Sequence, residues 1–372
     1  MSEKVIKPDL RFVKSVVNSG GDSLKKCYQC ATCSVVCNVT PEENPFPRKE
    51  MIQAQWGLKE DLFRNPDIWL CHHCSDCTAY CPRGAKPGEV LGAIRKMSLE
   101  HYSRPGFLAR MVNDPKYLVL LLALPVVIFL LIASGFSSLN FSEIPRGEYG
   151  GIVFSNFIPV PAIDITFGLA ALFALVVFVG GVLRYWKDMT RGEKLAGGLV
   201  GSVITTIGEI LGHGRFRKCD LTRPRSTSHM LVLFSFIGLA VTTTWALIYL
   251  YGLGWDSPYP MTDPLKVLAN LSAIALLVGV GLVIANRVNK AEKAGMGSYY
   301  DWLFIGVVAT IVVTGALSEL TRLGNIAGLA YPIYLTHLVA VFFLFAYAPF
   351  SKMAHMVYRT TAMVYARTAG RK

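Results

Sequence analysis

Two runs of cysteine carry most of the chemistry available to this chain. Residues 27–37 read C-Y-Q-C-A-T-C-S-V-V-C, and residues 71–82 read C-H-H-C-S-D-C-T-A-Y-C-P. Each run is C-x2-C-x2-C-x3-C, a spacing that wraps thiolates around one iron–sulfur cube. In two-cluster ferredoxins the fourth cysteine of each run crosses to the other cube. That rule assigns Cys27, Cys30, Cys33 and Cys81 to one 4Fe–4S cluster, and Cys71, Cys74, Cys77 and Cys37 to a second. Two four-cysteine zinc sites are the alternative, but zinc sites usually pair two C-x2-C hooks rather than running four cysteines in sequence. Pro82 follows Cys81 whereas Asn38 follows Cys37, a difference confined to the exit of the loop. The ninth cysteine, Cys219 in R-F-R-K-C-D, has no partner cysteine left and reads as a free thiol.

Histidines supply the remaining ligand chemistry. His72 and His73 lie inside the second run and are expected to tune charge and solvent around its cluster, while His101 has no partner in view. His337 and His355 belong to the last apolar segment and its exit, 18 residues apart. On one unbroken helix that separation is five turns, which puts both imidazoles on one face about 27 Å apart. The distance nearly crosses a hydrocarbon core, as two stacked b-type haems require. The ordinary reading is a backbone-bonded His337 and an interfacial His355. His229 opens an earlier apolar segment level with His355, so these two are expected to ligate an inner haem. No other histidine falls in the outer half of a span. The outer haem therefore has an unusual second ligand, or the path near His213 differs, or there is one haem. His213 itself ends a short interfacial helix, where a histidine is ordinarily solvated.

The elements that must hold these residues are helical. The 372 residues are 52% hydrophobic with a mean hydropathy of +0.41, and the apolar residues come in blocks long enough to span a bilayer. The spans fall near 117–136, 163–186, 229–250, 265–286, 302–322 and 331–350. The expected fold is mainly α: an N-terminal helical two-cluster ferredoxin domain over 1–112, then a six-helix transmembrane dihaem cytochrome b bundle over 113–372. Residues 195–211 are short and Gly-rich and carry Glu209, and are expected to form an interfacial helix rather than a seventh span.

Charge orients the chain. Arg184, Lys187, Arg191, Lys194, Arg215, Arg217, Lys218, Arg223 and Arg225 crowd one loop, and Arg287, Lys290 and Lys293 the next loop on that side. The opposite loops have Arg146 alone beside Glu143, Glu148, Asp256 and Asp263. The positive-inside rule places the head and the C-terminus in the cytoplasm of a multi-pass inner-membrane protein. Thiolate clusters suit that reducing compartment, and no cleavable signal peptide is visible at the start. The net charge of +12 is thus topological and does not mark nucleic-acid binding. A P-loop and a dinucleotide fingerprint are both missing, so the chain reads as an electron-transfer subunit, not catalytic alone. A membrane anchor or transporter with a redox-sensing head is the competing class, but mid-span positions are nearly free of the Asp and Glu relays it would use.

The head, with W-L-C-H-H-C-S-D-C and N-P-F-P-R-K-E, resembles the small iron–sulfur subunit of heterodisulfide reductase. The membrane part resembles the cytochrome b subunits of that enzyme and of respiratory nitrate reductase, most clearly in T-H-L-V-A-V-F-F-L-F-A-Y-A-P-F-S-K-M-A-H. The fusion is similar to the C subunits of the quinone-interacting membrane-bound oxidoreductases of sulfate-reducing bacteria. The resemblance implies haem b, menaquinone as electron donor, flavin and iron–sulfur partner subunits, and adenylylsulfate reductase as eventual acceptor. The nitrate-reductase relatives have a second histidine ten residues beyond the position of His229; here it is Leu239. Those relatives also carry a lysine near the position of Lys266, close to their quinol. Lys266 sits just inside the outer surface and is a candidate for a quinone carbonyl, with a snorkelling lysine as the ordinary explanation.

Overall fold

The computed structural model describes residues 7–371 apart from 142, 148–149, 192–194, 196, 220–224 and 290–296. Glu148, Lys194, Arg223, Lys290 and Lys293 of the charge argument lie outside the described residues.

Around the cysteine runs the chain forms short helices. They are α1 (Leu10–Asn18), α2 (Thr32–Val35), α3 (Arg48–Gln55), α4 (Lys59–Arg64), α5 (Asp67–Leu70) and α6 (Asp76–Ala79). Asp9 caps α1 by accepting from Arg11 N and Phe12 N at 2.9 and 3.0 Å, two of the donors a helix start leaves unpaired. The longer α7 (Pro87–Tyr102) opens on proline, whose missing N–H costs nothing there. Its buried Val90, Leu91, Ile94, Ser98, Leu99 and Tyr102 recur every three to four residues and face Phe12, Val16, Leu24, Met51 and Leu62. Each such apolar side chain contributes roughly 1.5–3 kcal/mol on leaving water. No strand is present among the described residues.

After α8 (Gly106–Asn113) the membrane half comprises α9 (Leu118–Phe136), α10 (Val160–Met189), α11 (Leu199–Leu211), α12 (Arg225–Leu247), α13 (Pro264–Asn289), α14 (Tyr299–Leu323), α15 (Ala327–Ala346) and α16 (Ala354–Thr368). With the turns that extend α9 and α12, six of these are long and apolar enough to cross a bilayer. They match the expected spans, with ends moved by a few residues. Half of the α15 window is buried, against 22% or less elsewhere, so α15 is the central helix, flanked by α9, α10 and α14. Outward residues such as Val119, Leu131 and Ile165 are 79, 66 and 64% exposed, a surface suited to lipid. α11 is too short to span and packs on α16, in keeping with an interfacial helix.

One expectation about the last helix fails. α15 stops at Ala346 and α16 starts at Ala354, with a 3-10 turn at Ala348–Phe350 between them. Pro349 has no N–H to donate back to Phe345 and its ring crowds that carbonyl. Ser351 Oγ then accepts from Met353 N at 3.3 Å. His337 and His355 therefore belong to two helices, and counting five turns between them does not apply.

The head is fastened to one end of the bundle. Trp69 of α5 stacks on Tyr358 of α16, with ring centroids 5.1 Å apart, and meets Tyr185 of α10 edge-on at 6.4 Å. Gly181 makes room for this: a Cβ there would collide with the Tyr358 hydroxyl. Tyr102 donates to Asp188 at 3.1 Å and its carbonyl accepts from Arg184 Nε at 3.2 Å. Ser103 donates to the Pro349 carbonyl at 2.9 Å. Arg371 reaches the fully buried Asp67 at 3.0 Å. Arg184, Asp188, Arg287 and Lys352 mark the head end of the bundle. Tyr251 donating to Asp164 at 2.6 Å marks the other.

Candidate redox site

The two cysteine loops have the same backbone. Gln29 and Ala31 in the first, and His73 and Ser75 at the matching positions of the second, have φ of 62, 67, 56 and 72°. Left-handed residues two apart, followed by the one-turn helices α2 and α6, turn successive N–H groups inward, the geometry of an anion-binding nest. Each such residue costs about 1–2 kcal/mol without glycine, so the loops depend on what they enclose.

The thiols divide into two sets. Burial pushes the Cys33 thiol up to about 11, and the neighbouring Cys27, Cys30 and Cys81 thiols add to the rise. Burial likewise pushes Cys37 up to about 12, with Cys71 and Cys74 adding. The fourth cysteine of each run thus lies among the first three of the other. Three thiols from one left-handed loop and the fourth from the other, none of them in a disulfide, fit a cube whose iron would hold them as thiolates.

Cys219 is not an isolated thiol. It is fully buried, and its Sγ, the Cys74 Sγ and an Asp76 carboxylate oxygen lie within 4.8 Å of one another. Cys74 is raised above its ordinary value first by the Cys219 thiol and then by burial. The turn that delivers it, Gly214–Lys218, docks on the head: Asn38 Nδ2 donates to the Lys218 carbonyl at 2.9 Å. Phe216 meets His72 edge-on at 4.3 Å. Asn38 and Lys218 are 180 residues apart, so only folding makes this contact and no local spacing announces it.

Between the second cysteine run and the head end of the bundle lies a cavity of about 650 Å³, a size usual for a cofactor site. His229 and His355 line it. Arg95, Arg215, Arg287, Arg359 and Lys352 line it too, with Arg215 paired to Glu209 at 2.7 Å and Arg287 and Lys352 both paired to Asp301, while Leu233, Ile210 and Met356 form an apolar wall. Two arginines converge on the second run. Arg95 donates to the Cys71 carbonyl at 3.1 Å and meets His73 Nδ1 at 2.9 Å. Arg359 donates to the same carbonyl at 3.1 Å and meets His72 Nδ1 at 3.2 Å. Burial, then the adjacent arginines, hold His72 and His73 down to about 2 and 3, so both stay neutral acceptors. His355 is also held well below its ordinary value, by burial and then by Arg95 and Arg359. It is an imidazole with no side-chain hydrogen bond among the described residues, 5.7 Å from the Trp69 ring. Neutral imidazoles and an apolar wall suit haem b.

The remaining candidates are placed as follows. His213 is 2% exposed, not solvated, and its Nε2 lies 2.8 Å from His229 Nδ1. His337 Nδ1 bonds the Ile311 carbonyl and Thr314 Oγ1, both at 3.1 Å, beside Gly315, where a Cβ would stand 3.1 Å from the ring. No second histidine bonds or stacks with it among the described residues. Lys266 donates to Glu319 Oε2 at 2.8 Å, and Arg322 holds Oε1 at 3.0 Å. The lysine is therefore paired, not snorkelling. Sequence reasoning missed Arg359, although it stands four residues beyond His355 on the same helical face, and missed Trp69 and Phe216, which only tertiary packing reveals.

Residues 113–372 match the family model described as Citrate utilization protein B. The chain belongs to that family. Residues 23–85 of this member match the 4Fe-4S dicluster domain, which accounts for both cysteine runs. The chain is 32% identical over 102 residues to the C subunit of the H(2):CoB-CoM heterodisulfide,ferredoxin reductase of Methanothermobacter marburgensis, covering 27% of this chain and 52% of that one. It is 32% identical over 94 residues to a protein of Archaeoglobus profundus described as like the C subunit of heterodisulfide reductase, 25% of this chain and 50% of the relative. The chain spans about half the length of these two relatives. It is 27% identical over 225 residues to the E subunit of the dihydromethanophenazine:CoB--CoM heterodisulfide reductase of Methanosarcina thermophila, 50% of this chain and 84% of that protein. No solved structure matches. The chain is a multi-pass membrane protein with an iron–sulfur head, related to oxidoreductase subunits.

Proposed function

We propose that this chain is the membrane electron-transfer subunit of a quinol oxidoreductase complex. It would link a lipid-soluble two-electron carrier of the menaquinone class to cytoplasmic flavin and iron–sulfur partners. The observation that carries the reading is the histidine-lined cavity beside the second cysteine run. When bound, haem b and the two clusters supply one-electron carriers. His229 and His355 would hold the haem iron, in a cavity whose charged lining is Arg95 and Arg359 together with the ion-paired Arg215–Glu209 and Lys352–Asp301. Cys71, Cys74, Cys77 and Cys37 would hold the near cluster, and Cys27, Cys30, Cys33 and Cys81 the outlying one. Trp69 joins them, two residues from Cys71 and in ring contact with His355. The exposed Cys30 makes the first cluster the exit toward a soluble partner.

At the far end of the bundle, Lys266, Glu319 and Arg322 form the quinol candidate. Glu319 can accept a proton as the quinol is oxidised, and Lys266 can hold the carbonyl oxygen that results. His337 is oriented as metal-bound histidines are, its Nδ1 donating to a backbone carbonyl so that Nε2 remains for a metal, and would serve an outer haem. The positive-inside argument puts the head in the cytoplasm. The resemblance to the oxidoreductases of sulfate-reducing bacteria favours adenylylsulfate reductase as the eventual acceptor. The named carrier of the Methanosarcina thermophila relative, dihydromethanophenazine, supports the wider class of membrane-soluble reductants.

The test is haem content and reduced-minus-oxidised spectra of the purified full chain and its variants. His229→Ala and His355→Ala should each remove one and the same haem b signal, and His337→Ala a different one. If all three remove a single species there is one haem; if none removes any, the cavity holds something else.

A further inference from the structure

We infer that His213 is the positioning residue that fixes the tautomer and ring orientation of His229; the inference rests on the haem reading above. His213 reaches this place through a local backbone choice. α11 ends at Leu211, leaving its last carbonyls without helical partners. Gly212 follows, and His213 takes φ +52°, a left-handed conformation open to few residues besides glycine, histidine among them. That conformation swings the imidazole back toward the helix end, where Nδ1 lies 3.1 Å from the Leu211 carbonyl oxygen.

The tautomers follow from counting protons. A carbonyl oxygen can only accept, so His213 Nδ1 carries the hydrogen. In the neutral ring Nε2 is then an acceptor. His229 Nδ1, 2.8 Å from it, must donate. His229 Nε2 is left with its lone pair and with no hydrogen-bond partner among the described residues, on a side chain that lines the cavity. The relay Leu211 carbonyl, His213, His229 thus delivers an unprotonated nitrogen to the cavity. Both nitrogens of His213 are engaged in it, which removes His213 itself as an iron ligand. Phe216 locks both rings in place, with centroids 5.3 Å from His213 and 4.7 Å from His229. His355 lines the same cavity and has no such relay.

An acceptor on the distal nitrogen makes the ligating nitrogen more basic, which strengthens iron binding and favours the oxidised metal. The experiment compares the purified full chain with His213→Leu, His213→Gln and His229→Ala. The readouts are low-spin haem spectra, haem midpoint potential, and the rate of haem loss to excess apomyoglobin; cluster absorbance controls for folding. His213→Leu should keep the low-spin haem, raise its midpoint potential and lose haem about 10–100-fold faster. His213→Gln, whose amide oxygen can accept the same bond, should stay close to wild type on both measures. His229→Ala should lose the low-spin signature. If His213→Leu loses that signature as completely as His229→Ala while the clusters remain, His213 is a ligand and the positioning role is wrong. If His213→Leu matches wild type in potential and haem loss, the bond does not bear on the iron. A wild-type chain without haem would instead overturn the reading beneath, whatever the variants do.

Discussion

Arg359 offers the most quantitative test of how the head and bundle communicate. Its guanidinium donates to the Cys71 carbonyl at 3.1 Å and meets His72 at 3.2 Å. Burial brings it down to about 10, so it remains charged at neutral pH. Its charge, with that of Arg95, favours the Cys71 thiolate, and the same field favours the added electron of a reduced cluster. Taking about 7 Å from guanidinium to cluster centre and an effective dielectric of about 20, one charge is worth roughly 2 kcal/mol. For a one-electron couple that is on the order of 100 mV. Arg359→Gln should therefore lower the midpoint of the second-run cluster by about that amount, and the more distant first-run cluster by clearly less. Arg359→Lys keeps the charge and should stay nearer wild type. The assay is an EPR-monitored redox titration of the full chain in detergent. The Cys71 carbonyl keeps its Arg95 donor, so the variant leaves no orphaned carbonyl there. An unchanged midpoint, or equal shifts in both clusters, would refute the electrostatic argument.

Other substitutions address separate parts of the molecule. Cys81→Ser should damage the first-run cluster, leaving iron nearer four than the about eight expected of two cubes; loss of the second-run cluster instead would mean each run closes on itself. Lys266→Ala should slow haem reduction by a menaquinol analogue while dithionite reduction and haem content stay unchanged, and a wild-type rate would reduce the lysine to a partner for Glu319. Glu50 is fully buried and pushed above its ordinary value, by burial and then by the Asp67 charge. Because the folded head keeps a proton that the unfolded chain releases from about 4.5 upward, stability should fall as pH rises above about 4.5. Glu50→Gln should flatten that dependence in thermal melts of the cluster absorbance.

The cluster loops and the six spans were legible because both are written locally. Thiol spacing names the chelate, and apolar length names the span. What the letters did not show depended on distance. The break at Pro349 was present in the letters A-P-F-S, but two in-phase histidines argued for continuity across it. Cys219 and His213 looked solitary because their partners, Cys74 and His229, come from other elements. The pairing of Lys266, a quinone candidate by sequence, was not visible there because Glu319 sits 53 positions away in α14 and faces it only once α13 and α14 pack.

Everything proposed for electron flow turns on a haem in the cavity under the second cysteine run, in line with the clusters. A reduced-minus-oxidised spectrum of the purified full chain, taken with a menaquinol analogue as sole reductant, examines that arrangement without intermediaries. Haem b bands should appear together with bleaching of the broad iron–sulfur absorbance. His355→Ala should lose the cavity haem's share of the b bands with the clusters retained. Clusters without any b-type band in the wild-type chain would overturn the arrangement.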